Sequence, residues 1–544
     1  MYKDPDRPID ERVDDLLRRM TLEEKVAQTL CVHVQPDWVD DKGRLRKRTF
    51  GSLLRHGVGE LGTPNESLGR GPEESARLVN QLQRYTIEKS RLGIPAIMHE
   101  ECLHGLWARG ATIFPQVSGM ASTWDPQLIG RVFSAIALET RSRGGTQALT
   151  PNIDVCRDPR FGRIEESYGE DPYLVSRFAV AVVRGLQGSG PRIDDEHIAA
   201  TVKHFAAYGE PLGGINKAPP PGGERRLREV YLPSFRAAVI EAGAMSVMAS
   251  YNEIDGIPSH ANEWLLTDLL RGEWGFEGYV ISDASGIEDL VLQHRVAGSM
   301  SDAGRLALLA GVDLELANPR CFPALEELVR SGRVPLSALD QTVRRVLRGK
   351  FLLGLFENPY ADPEKAKRVN RSAEHRALAL DAAQKSIVLL KNKKRLLPLN
   401  DRRIKRLAII GPNAATLRVG GYSIRKPHGV SVLEGIRARV GDSVEVHHAV
   451  GCRIHLGSDH WIPEPMTGKR LRLNDPKQDT AMIEDAVALA RRCDVAIVVV
   501  GETPLTCGEF IGHSSTLELV GRQNELVEAV RATGTPLVVC LVNG

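Results

Sequence analysis

The feature that most constrains this chain is a recurring unit. Short apolar runs alternate with helical patterns from the N-terminal region to about residue 350. The runs are Ile94–Met98, Ala148–Asp154, Ala199–Lys203, Ser246–Tyr251, Tyr279–Ser282 and Val312–Leu316. Helical patterns lie between them, for example Glu74–Leu92, Glu224–Ala242 and Ala303–Ala310. Repeated strand–helix units call for a parallel sheet, and over this length its simplest closure is a TIM-barrel-like domain. Two amphipathic helices open the chain within residues 10–30, the second started by a capping box of Thr21 and Glu24.

The polar, Pro-bearing run from Glu357 to Lys367 reads as a linker, and a second α/β segment follows it. Its strands are Ser386–Leu390, Leu407–Ile410, Val495–Val500 and Leu537–Val542, with a helix at Ala481–Arg492. A polar insertion without period occupies residues 454–478. The expected organisation is a (β/α) barrel-like catalytic domain over 1–356, a linker over 357–376, and an α/β sandwich domain over 377–544. Because the sequence stops just after an apolar strand, the expectation is that this second domain is incomplete and that a longer form would be more stable.

With 544 residues, the chain is too long for one core. Its 71 basic and 69 acidic residues nearly cancel, and no basic run interleaved with aromatics points to nucleic acid. No run of apolar residues approaches a membrane span. The N-terminus is polar, without a signal-peptide core. The eight cysteines form no Cys-x-x-Cys pair and several lie in apolar runs, the pattern of reduced thiols in a cytoplasmic protein. Oligomeric state is not legible.

Two motifs are decoys. Gly57-Val-Gly-Glu-Leu-Gly62 has dinucleotide-fingerprint spacing but follows a helical pattern instead of a strand, so it reads as a turn. His99-Glu-Glu-Cys-Leu-His104 resembles a zinc motif, but its histidines are five apart and do not share a helix face. No metal is expected.

The functional signal sits at the strand ends. Ile94–Met98 runs into His99-Glu100-Glu101, and Ala148–Asp154 into Cys156-Arg157-Asp158. Ala199–Val202 leads to Lys203-His204, and Ser246–Ala249 to Ser250-Tyr251-Asn252. Tyr279-Val-Ile leads to Ser282-Asp283. A lone Lys or His at a strand end is usually a satisfied structural group, and Asp283 alone could be a helix cap. Five consecutive strand ends bearing such groups instead form a rim suited to a many-hydroxyl ligand, with one carboxylate among them. In a β/α barrel this end of the strands is the catalytic face.

On these residues the chain resembles the glycoside hydrolases of family three, the β-glucosidase and β-xylosidase group. The shared motifs run in order: Cys-Arg-Asp-Pro-Arg-Phe-Gly-Arg (156–163), Tyr-Gly-Glu-Asp-Pro (168–172), Lys-His-Phe (203–205) and Ser-Tyr-Asn (250–252). They continue with Trp-Gly-Phe-Glu-Gly-Tyr-Val-Ile-Ser-Asp (274–283), Lys-Phe-Leu-Leu-Gly-Leu-Phe (350–356), Leu-Leu-Lys-Asn (389–392), Ile-Gly-Pro-Asn-Ala (410–414) and Gly-Arg-Gln (521–523). The resemblance implies a barrel followed by an α/β sandwich, an active site in the cleft between them, and no cofactor. It implies Asp283 as catalytic nucleophile, with Glu101, Arg157, Lys203 and His204 holding sugar hydroxyls and Tyr251 beside the nucleophile. Glu509, in a Gly-Glu loop ahead of Leu517–Gln523, would be the acid/base, with Glu502 as the alternative.

The implied activity is a retaining exo-β-glycosidase acting on terminal glucosyl or xylosyl residues of a small glycoside or oligosaccharide. A phosphorylase or transglycosylase on the same scaffold and an inactive sugar-binding fragment are the competing readings. Three departures from the family refine it. Ala284 replaces the Trp that often follows the nucleophile, and Lys-His-Phe continues into Ala206-Ala-Tyr208 rather than Pro-Gly-His, which argues against the N-acetylglucosamine branch. Glu101 stands where many relatives have Asp and leans toward xylosides.

Overall fold

The computed structural model describes residues 1–190, 192–400, 402–424, 427–456, 472–509 and 513–544. The chain divides into two compact units. Unit 1 comprises Met1–Arg157, Ser167–Leu212 and Lys217–Gln384, and unit 2 comprises Asp158–Glu166, Gly213–Asn216 and Lys385–Gly544.

Unit 1 is built on seven parallel strands: β1 (Cys31–His33), β2 (Glu60–Gly62), β3 (Ile97–Glu100), β4 (Gln147–Ala148), β5 (Ala199–Phe205), β6 (Ser246–Ala249) and, after a small hairpin of β7 (Glu253–Ile254) and β8 (Ile257–Pro258), β9 (Tyr279–Ile281). Their spatial order is β1-β2-β3-β4-β5-β6-β9. The run Val312–Leu316 joins the two edges, because Leu314 bridges Ile281 and Glu315 bridges Leu30, both in parallel. The strands are short and largely buried on both faces, so β3, β6 and β9 read as apolar runs without alternation; of the run Ala148–Asp154 only Ala148 lies in a strand, β4.

One face carries Cys31, Ile97, Tyr279, Ile281 and Leu314 into the interior. The other carries Val32, Leu61 and Met98 against Trp38, Phe50 and Leu82. The interior is filled and cross-linked: Tyr279 donates to Gln147 Oε1 at 2.6 Å, and Gln147 donates to Thr201 Oγ1 at 2.8 Å.

The capping box forms as expected, with Thr21 N–H donating to Glu24 at 2.9 Å and Glu24 N–H to Thr21 Oγ1 at 3.3 Å. Gly57 sits at φ 84° in the loop before β2, a turn role that glycine allows at no steric cost. The run read as a linker contains a helix, Pro363–Val369, capped by Asp362 and lying within unit 1.

Unit 2 holds a four-stranded parallel sheet in the order β11-β10-β12-β13, made of β10 (Arg406–Ile410), β11 (Glu445–Ala449), β12 (Val495–Gly501) and β13 (Leu537–Val542). β11 is half-exposed and polar, Glu-Val-His-His-Ala, so apolar content alone does not reveal it. The strand expected at Ser386–Leu390 does not form. Ile387, Val388, Leu389 and Leu390 are exposed and pair with no strand among the described residues, so apolar content there lacks the partner a strand requires. Much of the polar insertion, residues 457–471, lies outside the described residues.

Candidate active site

Asp283 follows the last residues of β9, where Ser282 N–H still pairs with Leu314 O at 2.9 Å. Its backbone N–H donates to Nε2 of His260 at 3.1 Å, and its Oδ1 accepts from Ala284 N–H at 2.7 Å. His260 is fully buried, and burial lowers its pKa to about 3, so its ring is neutral and can accept. Gly286 allows the close approach, because a Cβ there would fall within the His260 ring. The loop thus holds the Asp283 carboxylate in place by backbone contacts, leaving the residue 7% exposed.

His204 reaches the same carboxylate, with Nε2 3.6 Å from Asp283 Oδ2. Its other nitrogen, Nδ1, meets Asp154 Oδ2 at 2.8 Å, and its backbone N–H donates to the same oxygen at 3.1 Å. Asp154, His204 and Asp283 therefore form a line from the end of β4's segment, through β5, to β9. The carboxylate of Asp154 orients the ring. Lys203, one residue earlier on β5, is 2% exposed and donates to Glu101 Oε2 at 3.3 Å.

Tyr251 donates its hydroxyl to Ala284 O at 2.9 Å, next to Asp283. Lys217 Nζ lies 4.1 Å from the centre of the Tyr251 ring and pairs with Asp289 at 2.7 Å. Tyr208 packs between His204 and Tyr251, at centroid distances of 4.8 and 6.0 Å. The structure thus links Asp283 with His204 and Tyr251 through direct contacts or the adjoining backbone, and pairs Lys203 with Glu101 nearby on the neighbouring strand ends.

Arg157 is exposed and donates to the carbonyl of Glu170 at 3.2 Å, apart from the buried polar group. The chain leaves unit 1 immediately after it, and the buried guanidinium of the same motif is Arg163, 3% exposed, within unit 2. Arg163 makes a bidentate pair with Glu166, both bonds 2.8 Å, and its Nη1 donates to Glu509 Oε1 at 3.1 Å. Glu509 Oε2 accepts from Tyr422 at 2.7 Å, and Glu509 O accepts from Asn216 at 3.1 Å. Glu509 is thereby held at three atoms inside unit 2; residues 510–512, which follow it in the Gly-Glu loop, lie outside the described residues. The alternative acid, Glu502, is raised above the usual carboxylate range by burial, and accepts from Gly544 N–H at 3.2 Å.

Asp154, His260 and Arg163 were not singled out by the sequence reading. Asp154 ended a strand and His260 lay in a loop without a motif. Arg163 shared its motif with Arg157 and Arg160, and only burial distinguishes them. Of the two spaced histidines, His104 Nδ1 contacts Phe114 O at 2.9 Å, while His99 Nδ1 turns to Glu60 Oε1 at 2.7 Å.

A parallel β/α sheet with a buried carboxylate and buried polar side chains at its strand ends is the arrangement of a β/α-barrel enzyme. The description "Glycosyl hydrolase family 3 N terminal domain" matches residues 21–349, and "Glycosyl hydrolase family 3 C-terminal domain" matches residues 387–544. The chain belongs to this family. It is 42% identical over 479 residues to a β-xylosidase of Formosa agariphila, covering 84% of this chain and 63% of that protein. It is 34% identical to a periplasmic β-glucosidase of Salmonella typhimurium, covering 98% and 67% respectively. A solved β-glucosidase from Erythrobacter marinus matches with a TM-score of 0.93 at 41% identity, covering 100% of this chain and 73% of that one. The β-glucosidase of Listeria innocua in complex with glucose matches with a TM-score of 0.83 at 32% identity, covering 98% and 69%. The chain therefore spans roughly two thirds of the length of these relatives.

Proposed function

We propose that this chain carries the catalytic apparatus of a retaining exo-β-glycosidase that removes terminal β-glucosyl or β-xylosyl residues from small glycosides and oligosaccharides. The observation that supports this reading most is the placement of Asp283. It lies buried at a strand end, oriented through its backbone by His260, and shares its oxygen with a His204 that Asp154 holds. In the proposed reaction the Asp283 carboxylate attacks the anomeric carbon. The glycosidic C–O bond breaks, and Glu509 gives its proton to the departing oxygen. Glu509 then takes a proton from water, which attacks the same carbon and releases Asp283 with the β configuration restored. Lys203, Glu101 and His204 are the groups that hold sugar hydroxyls, and Tyr251 fixes the loop beside the nucleophile through Ala284.

The mix of β-xylosidases and β-glucosidases among the relatives supports a sugar pocket that takes both. Among the described residues no helix is long and apolar enough to cross a membrane. All eight cysteines are free thiols, which supports a reducing compartment such as the cytoplasm.

A panel of aryl β-glycosides followed by proton NMR tests the reading. The glucoside and xyloside should both be cleaved, the N-acetylglucosaminide poorly, and the first-formed sugar should be the β anomer. First-formed α anomer would rule out double displacement, and a preference for the N-acetylglucosaminide would rule out the assigned specificity.

A further inference from the structure

A second cluster lies in unit 1, on the interior face of β1, β2 and β3, and takes no part in the proposed reaction. Strand register sets it up. His33 pairs across to Gly62, and Gly62 to His99, so two histidines flank a residue without a side chain. Two residues earlier on the same face, Cys31 pairs with Glu60. Because side chains alternate along a strand, Cys31, His33, Glu60 and His99 all project to one side.

The consequences are visible in the contacts. The His33 and His99 rings lie 5.3 Å apart. A Cβ on Gly62 would fall within the His33 ring and 2.7 Å from His99 Cε1, so glycine is what lets the rings face each other. Cys31 Sγ is 3.7 Å from His99 Nδ1, and Glu60 Oε1 is 2.7 Å from the same nitrogen. One donor atom from each of Cys31, His33 and His99 lies within 4.8 Å of the others. Three further buried donor atoms make no hydrogen bond: Nε2 of His33, Nε2 of His99 and Oε2 of Glu60. A core that leaves three such atoms unpaired on one small patch requires a reason.

We propose that Cys31, His33 and His99 bind one divalent cation of the zinc type, with the Glu60 carboxylate beside the His99 ring. One thiolate and two imidazoles are donors zinc accepts, with bonds of about 2.0–2.3 Å and a water completing the tetrahedron. Such bonds place ligand atoms roughly 3.3–3.7 Å apart, the spacing already present between Cys31 Sγ and His99 Nδ1. Rotation of the half-buried His33 ring brings in the third donor. Binding releases the thiol proton of Cys31 and any proton on the two rings to water. The dication offsets the charge of a Glu60 carboxylate that is wholly buried. The site ties β1 to β3 beneath the strand ends that carry Glu101, and is independent of the glycosidase reading.

Chain freed of metal by a chelator and then titrated with cobalt tests this directly. Four-coordinate cobalt with a thiolate should give a sulfur-to-metal charge-transfer band and intense visible d–d bands, saturating at about one equivalent per chain. Zinc should displace it and protect one thiol from a thiol-specific reagent. Cys31→Ser should remove the charge-transfer band although the other cysteines remain. His33→Ala, at a half-buried position where loss of fold is least expected, should weaken cobalt binding by about tenfold or more while circular dichroism stays unchanged. Absence of the bands from the wild-type chain would overturn the proposal and leave the cluster as a His99–Glu60 ion pair. A charge-transfer band that survives Cys31→Ser would place the metal elsewhere and overturn it equally.

Discussion

Asp154 Oδ2 meets both the ring and the backbone N–H of His204, and His204 in turn reaches Asp283. Its role is therefore positional. Asp154→Asn keeps the shape but presents an amide where a carboxylate oriented the ring. The expected result is a ten- to hundredfold loss in kcat/KM, the scale of one hydrogen bond to a charged partner, with the fold intact by circular dichroism. Unchanged kinetics would mean that His204 needs no orienting group. Glu100, just before Glu101, behaves differently. It is fully buried, and burial raises its carboxyl from 4.5 to about 7, although Asn65 donates to it twice, at 2.9 and 2.7 Å. The folded chain thus keeps a proton that the unfolded chain sheds between pH 4.5 and about 7. Stability contributed by this group is present below pH 4.5 and declines as pH rises through that window, by an amount on the order of 3 kcal/mol. Glu100→Gln should flatten the fall in thermal midpoint between pH 5 and 7.5; an identical slope in the variant would place the burial cost elsewhere.

Among the elements, the loop after β12 decides the second catalytic group. Glu509 is gripped by Arg163 and Tyr422, whereas Glu502 stays beside the strand end. Glu509→Ala should cripple glycosides with poor leaving groups and spare the first step on activated aryl glycosides, which need no proton. Added azide should restore turnover and yield a β-glycosyl azide. That pattern in Glu502→Ala, with Glu509→Ala like wild type, would transfer the role. The same scale shows what a sequence discloses. β3, β5, β6, β9, β10 and β12 were legible because buried parallel strands are continuous apolar runs, and β13 was legible by its apolar content although it is only half-buried. β1, β2 and β11 were missed: Cys-Val-His, Glu-Leu-Gly and Glu-Val-His-His-Ala carry polar groups whose partners lie on other strands. Ser386–Leu390 was over-read, because composition cannot report whether a neighbouring strand is there to pair with it. The polar groups at the strand ends were legible because they sit directly after apolar runs. Asp154, His260 and Arg163 were not, because their importance is a matter of who they touch.

At the scale of the molecule, unit 1 carries a closed ring of strand ends with one buried, backbone-fixed aspartate, and unit 2 carries a glutamate held by three contacts. Membership of glycosyl hydrolase family 3 joins the two in sequence, over residues 21–349 and 387–544. The account stands on Asp283 forming a covalent bond to the sugar. The most direct measurement is inactivation with a 2-deoxy-2-fluoro aryl β-glycoside, whose fluorine slows both steps while a good leaving group lets the first proceed, followed by mass spectrometry of the digested chain. The account predicts one fluoroglycosyl group per chain, located on Asp283, and no labelling or turnover in a folded Asp283→Asn variant. A label on any other residue, or an Asp283→Asn variant that retains substantial activity, would contradict it.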